Sequence, residues 1–251
     1  MRLGDAMGTL INVAAILIGS AIGMVFNTKL PEKALSTVMQ GVGLFVVFIG
    51  LQMALSADFP TVSAYFVVDG VLVILVCVLV GAIVGSLLGI EKRLDALGQA
   101  IERRYANRTG RGQIAQGFVV ASLLFCVGPM AIVGSINDAL LGDIRTLATK
   151  AVLDGTASIA FASTLGLGVA FSAVAVLVYQ GTITLLASLA QSVLSAPVVH
   201  VMQGVGGLLV LGIGINLLGM AKIKVGDLLP ALFVVFLLMA VRSAAALLHL
   251  I

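Results

Sequence analysis

The hexapeptide Val38-Met39-Gln40-Gly41-Val42-Gly43 recurs letter for letter as Val201-Met202-Gln203-Gly204-Val205-Gly206. The match continues beyond the hexapeptide when Gly207 is treated as an insertion. Because an identical run of this length rarely arises by chance, we predict that the chain contains an internal repeat. The polar residues that the repeat relates to one another are Gln40 with Gln203 and Gln52 with Asn216.

The composition on either side of the repeat is typical of a membrane protein. Of the 251 residues, 61% are hydrophobic and 10% are charged, and the mean hydropathy is +1.21. In a soluble domain, roughly a quarter of the residues are charged. Because a membrane-spanning helix needs about 20 apolar residues, the length allows about eight spans with short connections. We predict a single all-α integral membrane domain, residues 1–251: a polytopic transmembrane helical bundle.

Runs of apolar residues give the positions of these spans. The runs cover residues 8–26, 37–55, 66–90, 116–136, 148–169, 171–192, 201–220 and 228–250. The fifth and sixth runs are separated only by the neighbourhood of Gly166, Gly168 and Ser172. A single long bent helix, which would reduce the count by one span, is therefore the alternative at this point.

Basic residues near span ends predict the orientation, because such residues are retained on the cytoplasmic side. The third connection, residues 91–112, carries Lys92, Arg93, Arg103, Arg104, Arg108 and Arg111, whereas the second, around Asp58, carries no basic residue. We predict that the third connection is cytoplasmic and that both termini are periplasmic. Only Arg145 and Lys150 in the fourth connection oppose this orientation.

The beginning of the third connection has the pattern of an amphipathic helix. Leu94, Leu97 and Ile101 recur at helical spacing with charged residues between them, as in helices that lie along a membrane surface. A plain extension of the third span into the cytoplasm explains the pattern equally well.

A second, weaker match supports the repeat and predicts its geometry. Gly8-Thr9-Leu10 resembles Gly181-Thr182-Ile183, and each is expected to open a span. The first span would then correspond to the sixth and the second to the seventh. Because the members of each pair are an odd number of spans apart, they would cross the membrane in opposite directions. We predict an inverted-topology repeat, common in secondary transporters, with halves 1–90 and 171–251 around central spans in 113–170. Channels and some membrane enzymes share this arrangement, and two similar glycine-rich helices can also reflect packing alone.

Glycines four residues apart predict close helix packing in the third span. Gly81, Gly85 and Gly89 form such a ladder, which lets helix backbones approach in lipid. The ladder fits a neighbouring helix of the same chain and equally a second protomer in a homo-oligomer.

The two central spans carry the polar groups. Pro129, with Gly128 before it, predicts a break in the fourth span, and the fifth span is rich in hydroxyl groups and contains Asp154. Such groups at membrane depth point to a polar pathway, although Ser and Thr can also bond back along their own helices. The predicted pathway residues are Gly128, Pro129, Ser135, Asn137, Asp154, Thr156, Ser158, Ser163 and Thr164.

Three further intramembrane charges are predicted: Asp69, Asp138 and Arg242. An arginine deep in a span needs a carboxylate partner, and we expect Asp154, or after it Asp69, to pair with Arg242. A structural ion pair and a substrate or proton site both fit this prediction. Asp154 is the expected coupling carboxylate.

Several classes of function are disfavoured. The net charge of +3 is better explained by orientation than by nucleic-acid binding. Cys77 and Cys126 lie in apolar runs without ligand spacing, so we expect no metal site and no cofactor. We expect His200 in a loop and His249 at the terminus, and no paired-aspartate or Ser/His arrangement lies at depth, so we do not expect an enzyme.

Four stretches resemble a known family. They are 8–12, Phe125-Cys126-Val127-Gly128-Pro129-Met130-Ala131-Ile132, 152–166 and Tyr179-Gln180-Gly181. With them the chain resembles, over nearly its whole length, the YqgA/YdfK-like family of bacterial inner-membrane proteins (DUF554). The resemblance implies a multi-pass helical fold in the bacterial cytoplasmic membrane, but no substrate.

From the repeat and the polar central spans, we predict a secondary transporter or exporter. It would move an ion or small polar solute by alternating access, with H⁺ or Na⁺ as candidate coupling ions. An ion channel of the same fold is the alternative, followed by a membrane enzyme or assembly partner without transport activity.

Overall fold

A computed structural model describes residues 6–29, 31–109, 114–187 and 195–247 of the chain, and within these ranges it contains helices and no strands. The helices are α1 Met7–Lys29, α2 Glu32–Leu55, α3 Phe59–Phe66, α4 Gly70–Leu88, α5 Ile90–Thr109, α6 Ile114–Cys126, α7 Pro129–Leu141, α8 Arg145–Leu165, α9 Gly168–Leu185, α10 Ala196–Leu217, α11 Val225–Leu228 and α12 Ala231–Leu247. Residues 110–112 of the predicted third connection, and 188–192 and 248–250 of the predicted sixth and eighth spans, lie outside the described ranges.

The described helices supply six or seven candidate membrane spans. Helices α1, α2, α4, α9 and α10 and the segment Val225–Arg242 are long and apolar enough to cross a bilayer, and the bent pair α6–α7 makes a seventh. Helix α8, which corresponds to the predicted fifth span, has 21 residues but is less apolar than these. The predicted count of eight spans is therefore not confirmed.

Glycine residues set the closest helix pairs. Gly50 of α2 lies on the backbone of Leu211 in α10, and Gly19 of α1 lies on the backbone of Gly155 in α8. In both places a Cβ atom would overlap the opposing backbone, so only glycine permits this approach.

The order of the contacts gives the direction of each pair. Along α2, Gly43 meets Leu217 and Gly50 meets Leu211 of α10, so these two helices are antiparallel. Along α1, Gly19 meets Gly155 and Gly23 meets Ile159 of α8, so this pair is parallel.

The ladder of the third span packs within the same chain. Gly81 meets Ala231 of α12, and Gly85 meets Asp227 of α11. The later glycine of α4 contacts the earlier residue of the partner segment, so α4 is antiparallel to the α11–α12 segment. The sequence left open whether the ladder packs on the same chain or on a second protomer. At Gly81 and Gly85 it packs on a segment of the same chain.

The two hexapeptides therefore lie on antiparallel neighbours, α2 and α10. This is the direction that an inverted repeat requires of that pair, while the repeat over the whole chain stays a prediction. The weaker match does not keep its expected place. Gly181-Thr182-Ile183 lies in the last two turns of α9, so the prediction that it opens a span is wrong.

Three glycines with positive φ lie at the junctions between consecutive helices. Gly128, with φ of 129°, precedes Pro129, and α6 and α7 meet there at a bend of 62°, which confirms the predicted break. Gly89, with φ of 63°, separates α4 from α5, so a plain extension of the third span is wrong. Gly166, with φ of 66°, separates α8 from α9 and removes the single-bent-helix alternative. Left-handed conformations of this kind favour glycine.

Several helix ends meet at one end of the bundle, here called the Asp58 end. The first turn of α1 meets α7 through a hydrogen bond from Gly8 N to Asp138 Oδ2 (2.8 Å). The start of α10 meets the end of α2 through a hydrogen bond from Gln203 Nε2 to Ser56 Oγ (2.7 Å). The start of α8 packs on α7, and the second half of α7 shares a small pocket with the start of α10. The opposite end, where α4 meets α5 and α11, is called the Glu91 end.

Candidate functional site

A buried ion pair lies on α8 near the Asp58 end. Lys150 Nζ donates a hydrogen bond to Asp154 Oδ2 at 2.6 Å, and the two side chains are only 8% and 9% exposed. Asn12 Nδ2 of α1 donates to the same carboxylate oxygen at 3.0 Å. Two charges taken out of water need such mutual contact and added hydrogen bonds.

The predicted partner of Arg242 is therefore wrong. Asp154 pairs with Lys150, and the guanidinium of Arg242 lies over the ring of Tyr65, 3.8 Å from its centre. Helix α12 packs on α4 and α10, whereas α8 packs mainly on α1, which keeps the two residues apart. Asp69, the second predicted partner, instead caps α4 by accepting a hydrogen bond from Val71 N at 2.8 Å.

Asp138, predicted as an intramembrane charge, caps the start of α1. Its Oδ2 accepts the backbone N–H of Gly8, one of the N–H groups at the start of α1 that have no partner within the helix. A carboxylate at a helix N-terminus is also favoured by the helix dipole.

A cavity of about 670 Å³ opens beside the break between α6 and α7. Its walls come from α2, α8, α10 and the break itself. Of the residues singled out from the sequence, Gly128, Pro129, Asp154, Thr156 and Gln203 line it. Lys150 lines it too, so the ion pair faces this space.

Polar groups are concentrated in the half of the cavity nearer the Asp58 end. Lys150 lies in the second turn of α8, and Gln203 is bonded to Ser56 at the end of α2. Toward the Glu91 end the walls are apolar and include Val38, Phe161 and Val210. The α2 residues that line the cavity extend from Val38 to Met53, which is about 22 Å along the helix at 1.5 Å per residue.

The cavity opens sideways between α2 and α8. Phe45 of α2 and Leu153 of α8 both line it, and they are 58% and 55% exposed. Phe45 is near the middle of α2, which has 24 residues. In a helix that spans the bilayer, an exposed side chain at that depth faces hydrocarbon, so the opening faces lipid.

Helix α1 contributes a buried polar face that sequence reasoning missed. Thr9, Asn12 and Ser20 are fully buried, whereas Ile11 and Ile18 are exposed. Helices in lipid turn their polar side chains toward the protein, so this distribution fits a helix whose apolar side faces the bilayer. The signal present in the sequence was the polar pattern of Thr9 and Asn12 near the start of an apolar run.

The remaining pathway candidates are Ser135, Ser163, Thr164, Ser158 and Asn137, and they do not line the cavity. Ser135 donates a hydrogen bond to Ala131 O on its own helix. In the same way, Ser163 donates to Ala160 O and Thr164 to Phe161 O. Thr156 also bonds back, to Val152 O at 2.8 Å, although it lines the cavity. Ser158 lies against Gly19 of α1, and Asn137 lines a separate pocket of about 260 Å³ near Ser195.

The repeat-related polar residues do not share one role. Gln40 and Gln52 are exposed on α2, whereas Gln203 lines the cavity. Asn216 holds the loop after α10 by exchanging two hydrogen bonds with the backbone of Ile223.

Both basic residues that oppose the predicted orientation are neutralised by a carboxylate. Lys150 pairs with Asp154, and Arg145 pairs with Asp143 at 2.7 Å. The hydrogen bonds from Arg145 lower the pKa of Asp143 to about 2. Among the described residues, no three His, Cys, Asp or Glu side chains lie close enough to hold a metal ion.

Comparison with known proteins gives one family and two relatives. The profile of a family described as "Protein of unknown function (DUF554)" matches residues 7–240. The "Uncharacterized membrane protein YdfK" of Bacillus subtilis (strain 168) is 32% identical over 227 residues, which cover 90% of this chain and 93% of the relative. The "Uncharacterized protein YqgA" of Escherichia coli (strain K12) is 27% identical over 242 residues, 95% of this chain and 98% of the relative. No solved structure matches the chain.

Proposed function

Because the chain belongs to the DUF554 family of proteins of unknown function, we propose its role from its own geometry: it is a secondary transporter. It moves a small solute that carries a polar group across the bacterial inner membrane by alternating access. The supporting observation is the cavity beside Gly128 and Pro129, which the buried Lys150–Asp154 pair lines.

The buried pair supports this role because charge inside a membrane is costly. Intramembrane ionisable residues are rare and usually mark substrate or ion pathways. Lys150 and Asp154 face a cavity that has room for a solute, and a purely structural pair would not need that access. Between the two solutes predicted from the sequence, the apolar lining favours an organic solute with one polar group over a bare ion.

The packing supports a movement around the cavity. Helices α1 and α8 are in backbone contact through Gly19 and Gly155, and α2 and α10 through Gly50 and Leu211. Each pair moves as a rigid unit because close-packed backbones cannot slide without losing contact. Helices α2 and α8 contact each other over part of their length, and the cavity lies between them over the rest. Movement of one pair against the other opens the site toward either side, as in transporters built from two repeats.

Asp154 is the proposed coupling group for a proton or a sodium ion. Its Oδ2 accepts from both Lys150 and Asn12. A cation that binds this carboxylate releases Lys150 to interact with a solute, so binding of the cation and of the solute would be linked.

The test is solute uptake into liposomes that contain the purified chain. Labelled carboxylic acids and amines of increasing chain length are supplied under an imposed pH or sodium gradient. We expect gradient-dependent uptake that Asp154→Asn abolishes and that Asp69→Asn, on an exposed helix cap away from the cavity, leaves intact. Uptake that ignores both gradients and the Asp154 change would exclude a coupled carrier. Single-channel current steps in a planar bilayer would identify a channel instead.

A further inference from the structure

We propose that the substrate of this site is a single-chain amphipath with an oxyanion head, such as a long-chain carboxylate, that enters from the lipid between α2 and α8. This inference rests on the proposed transport function and names its substrate class. It is supported by the placement of polar groups in the cavity, the unused donors of Lys150, the extent of the apolar walls along α2 and the position of the opening.

The head group follows from the hydrogen bonds at the ion pair. A lysine ammonium has three N–H donors, and Lys150 uses one of them, toward Asp154 Oδ2, among the described residues. That oxygen already accepts from Asn12 as well. A bound molecule therefore meets the two other N–H donors of Lys150, and Gln203 adds an amide at the same end of the cavity. Asp154 Oδ1 remains an acceptor until a cation binds the carboxylate, as in the coupling proposed above. An oxyanion fits these donors.

The tail follows from the shape of the apolar part. Between Met53 and Val38 the cavity follows α2 for about 22 Å, at 1.5 Å per residue. The walls beyond the ion pair include Phe45, Phe161 and Val210. Walls of this kind keep an extended hydrocarbon chain out of contact with water, as the bilayer interior does. A short hydrophilic solute would leave this surface without an apolar partner.

The entry route follows from the opening. Phe45 and Leu153 are exposed at the middle of α2 and α8 while lining the cavity. Gly41 also lines it, and a Cβ at this position would meet no atom within 4 Å. A molecule already dissolved in the bilayer reaches this opening without crossing water.

Two tryptophan reporters test the proposal, since the chain has no tryptophan of its own. Phe45→Trp places an indole in the cavity, and Phe48→Trp places one on the exposed surface of α2 outside it; the native side chains are 58% and 60% exposed. The probe is dibromostearate added to the purified full-length chain in nanodiscs. We expect saturable quenching at position 45 and quenching at position 48 that rises linearly with the probe in the bilayer.

Competition and variants identify the head group and the tail. Unlabelled stearate should displace the probe, whereas octanoate and stearylamine should need at least tenfold higher concentrations. Lys150→Gln should weaken saturable quenching at least tenfold, and Gly41→Leu should abolish it by filling the cavity. Gly181→Leu, where a Cβ also meets no atom within 4 Å, is the matched control and should have no effect.

Each negative result has a defined meaning. Parallel quenching at both positions, or quenching unchanged by Gly41→Leu in a folded protein, overturns the amphipath site. Displacement by stearylamine as effective as that by stearate overturns the oxyanion head. Saturable binding without any coupled uptake overturns the transport function and leaves the site, whereas coupled uptake of short solutes without quenching at position 45 overturns only this inference.

Discussion

Glu91 and Asp227, which are 136 residues apart, bind the backbone at the start of each other's helices. Asp227 Oδ1 accepts the N–H of Glu91 at 2.9 Å, and Glu91 Oε2 accepts the N–H of Gly226 at 2.5 Å. Each carboxylate satisfies an N–H group that a helix start leaves without an intrahelical partner. The reciprocal contact fixes α5 and α11 to one another at the Glu91 end.

This contact predicts a pH dependence. Desolvation raises the pKa of Glu91 above its ordinary value of 4.5 and outweighs the hydrogen bond from Gly226, which lowers it; the charges of Asp95 and Asp227 raise it further. A raised carboxyl pKa means that the folded state holds the proton more tightly than the unfolded state, so stability falls as pH rises from 4.5 through the folded value. Glu91→Gln keeps an acceptor for Gly226 N and should flatten this slope. Unfolding at a series of pH values measures it; equal slopes for both proteins would contradict the prediction.

The ion pair predicts a non-additive cost. Lys150→Gln or Asp154→Asn leaves one buried charge without its partner and should cost about 3–5 kcal/mol. The double variant, which removes both charges and keeps both shapes, should cost less than the sum of the two. Unfolding of all four proteins in mixed detergent gives the coupling energy. Strict additivity would mean that the two side chains do not interact in the membrane-embedded protein.

The antiparallel pair α2–α10 predicts opposite effects for two glycines. Gly50→Ala forces a methyl group into the backbone of Leu211, and such overpacking costs about 1–3 kcal/mol. Gly41→Ala adds a methyl group to open space and should be neutral or stabilise by up to about 1 kcal/mol, since alanine favours the helix. The difference between the two unfolding free energies is the measurement, and similar values would rule out the close approach at Gly50.

The contact between Arg242 and Tyr65 predicts that the ring, not the hydroxyl group, stabilises the arginine. Tyr65→Phe should change the unfolding free energy little, whereas Tyr65→Leu should cost about 0.5–2 kcal/mol, the range for cation–π contacts. In an Arg242→Gln background the two variants should become equivalent. A loss with Tyr65→Phe as large as that with Tyr65→Leu would point to a hydrogen bond instead.

The basic residues of the third connection predict the orientation. Alkaline phosphatase, which is active only outside the cytoplasm, should be active when fused after residue 251 and inactive when fused after residue 105. A cytoplasmic reporter such as green fluorescent protein should give the reverse pattern. Phosphatase activity at residue 105 would invert the topology and place the Asp58 end in the cytoplasm.

Much of the fold could be predicted because lipid imposes simple rules. Apolar runs located the long helices, and Pro129 after Gly128 located the break. The sequence did not reveal α3, because this short helix lies in a stretch without a span-length apolar run. A local contact starts it: Asp58 Oδ1 accepts the N–H of Thr61 at 3.2 Å. It also misplaced Gly181, since three similar residues fit the end of a helix as well as its start.

The site was harder to predict because pairing depends on neighbours in space. Asp154 was identified, but Arg242 seemed its natural partner only while the packing of α8 and α12 was unknown. The actual partner, Lys150, is four residues away on the same helix, a spacing that places two side chains on one face. Most hydroxyl groups of α8 donate to carbonyls of their own helix, which is the alternative to a polar pathway that the sequence left open.

The buried polar face of α1 sets an order of assembly. Thr9, Asn12 and Ser20 have no exposure in the finished bundle, and Asn12 bonds to Asp154, 142 residues later in the chain. The ribosome therefore delivers α1 to the bilayer long before α8 exists to cover it. During that interval the insertion machinery must shelter those side chains from lipid, and docking of α8 completes the biogenesis of the first helix.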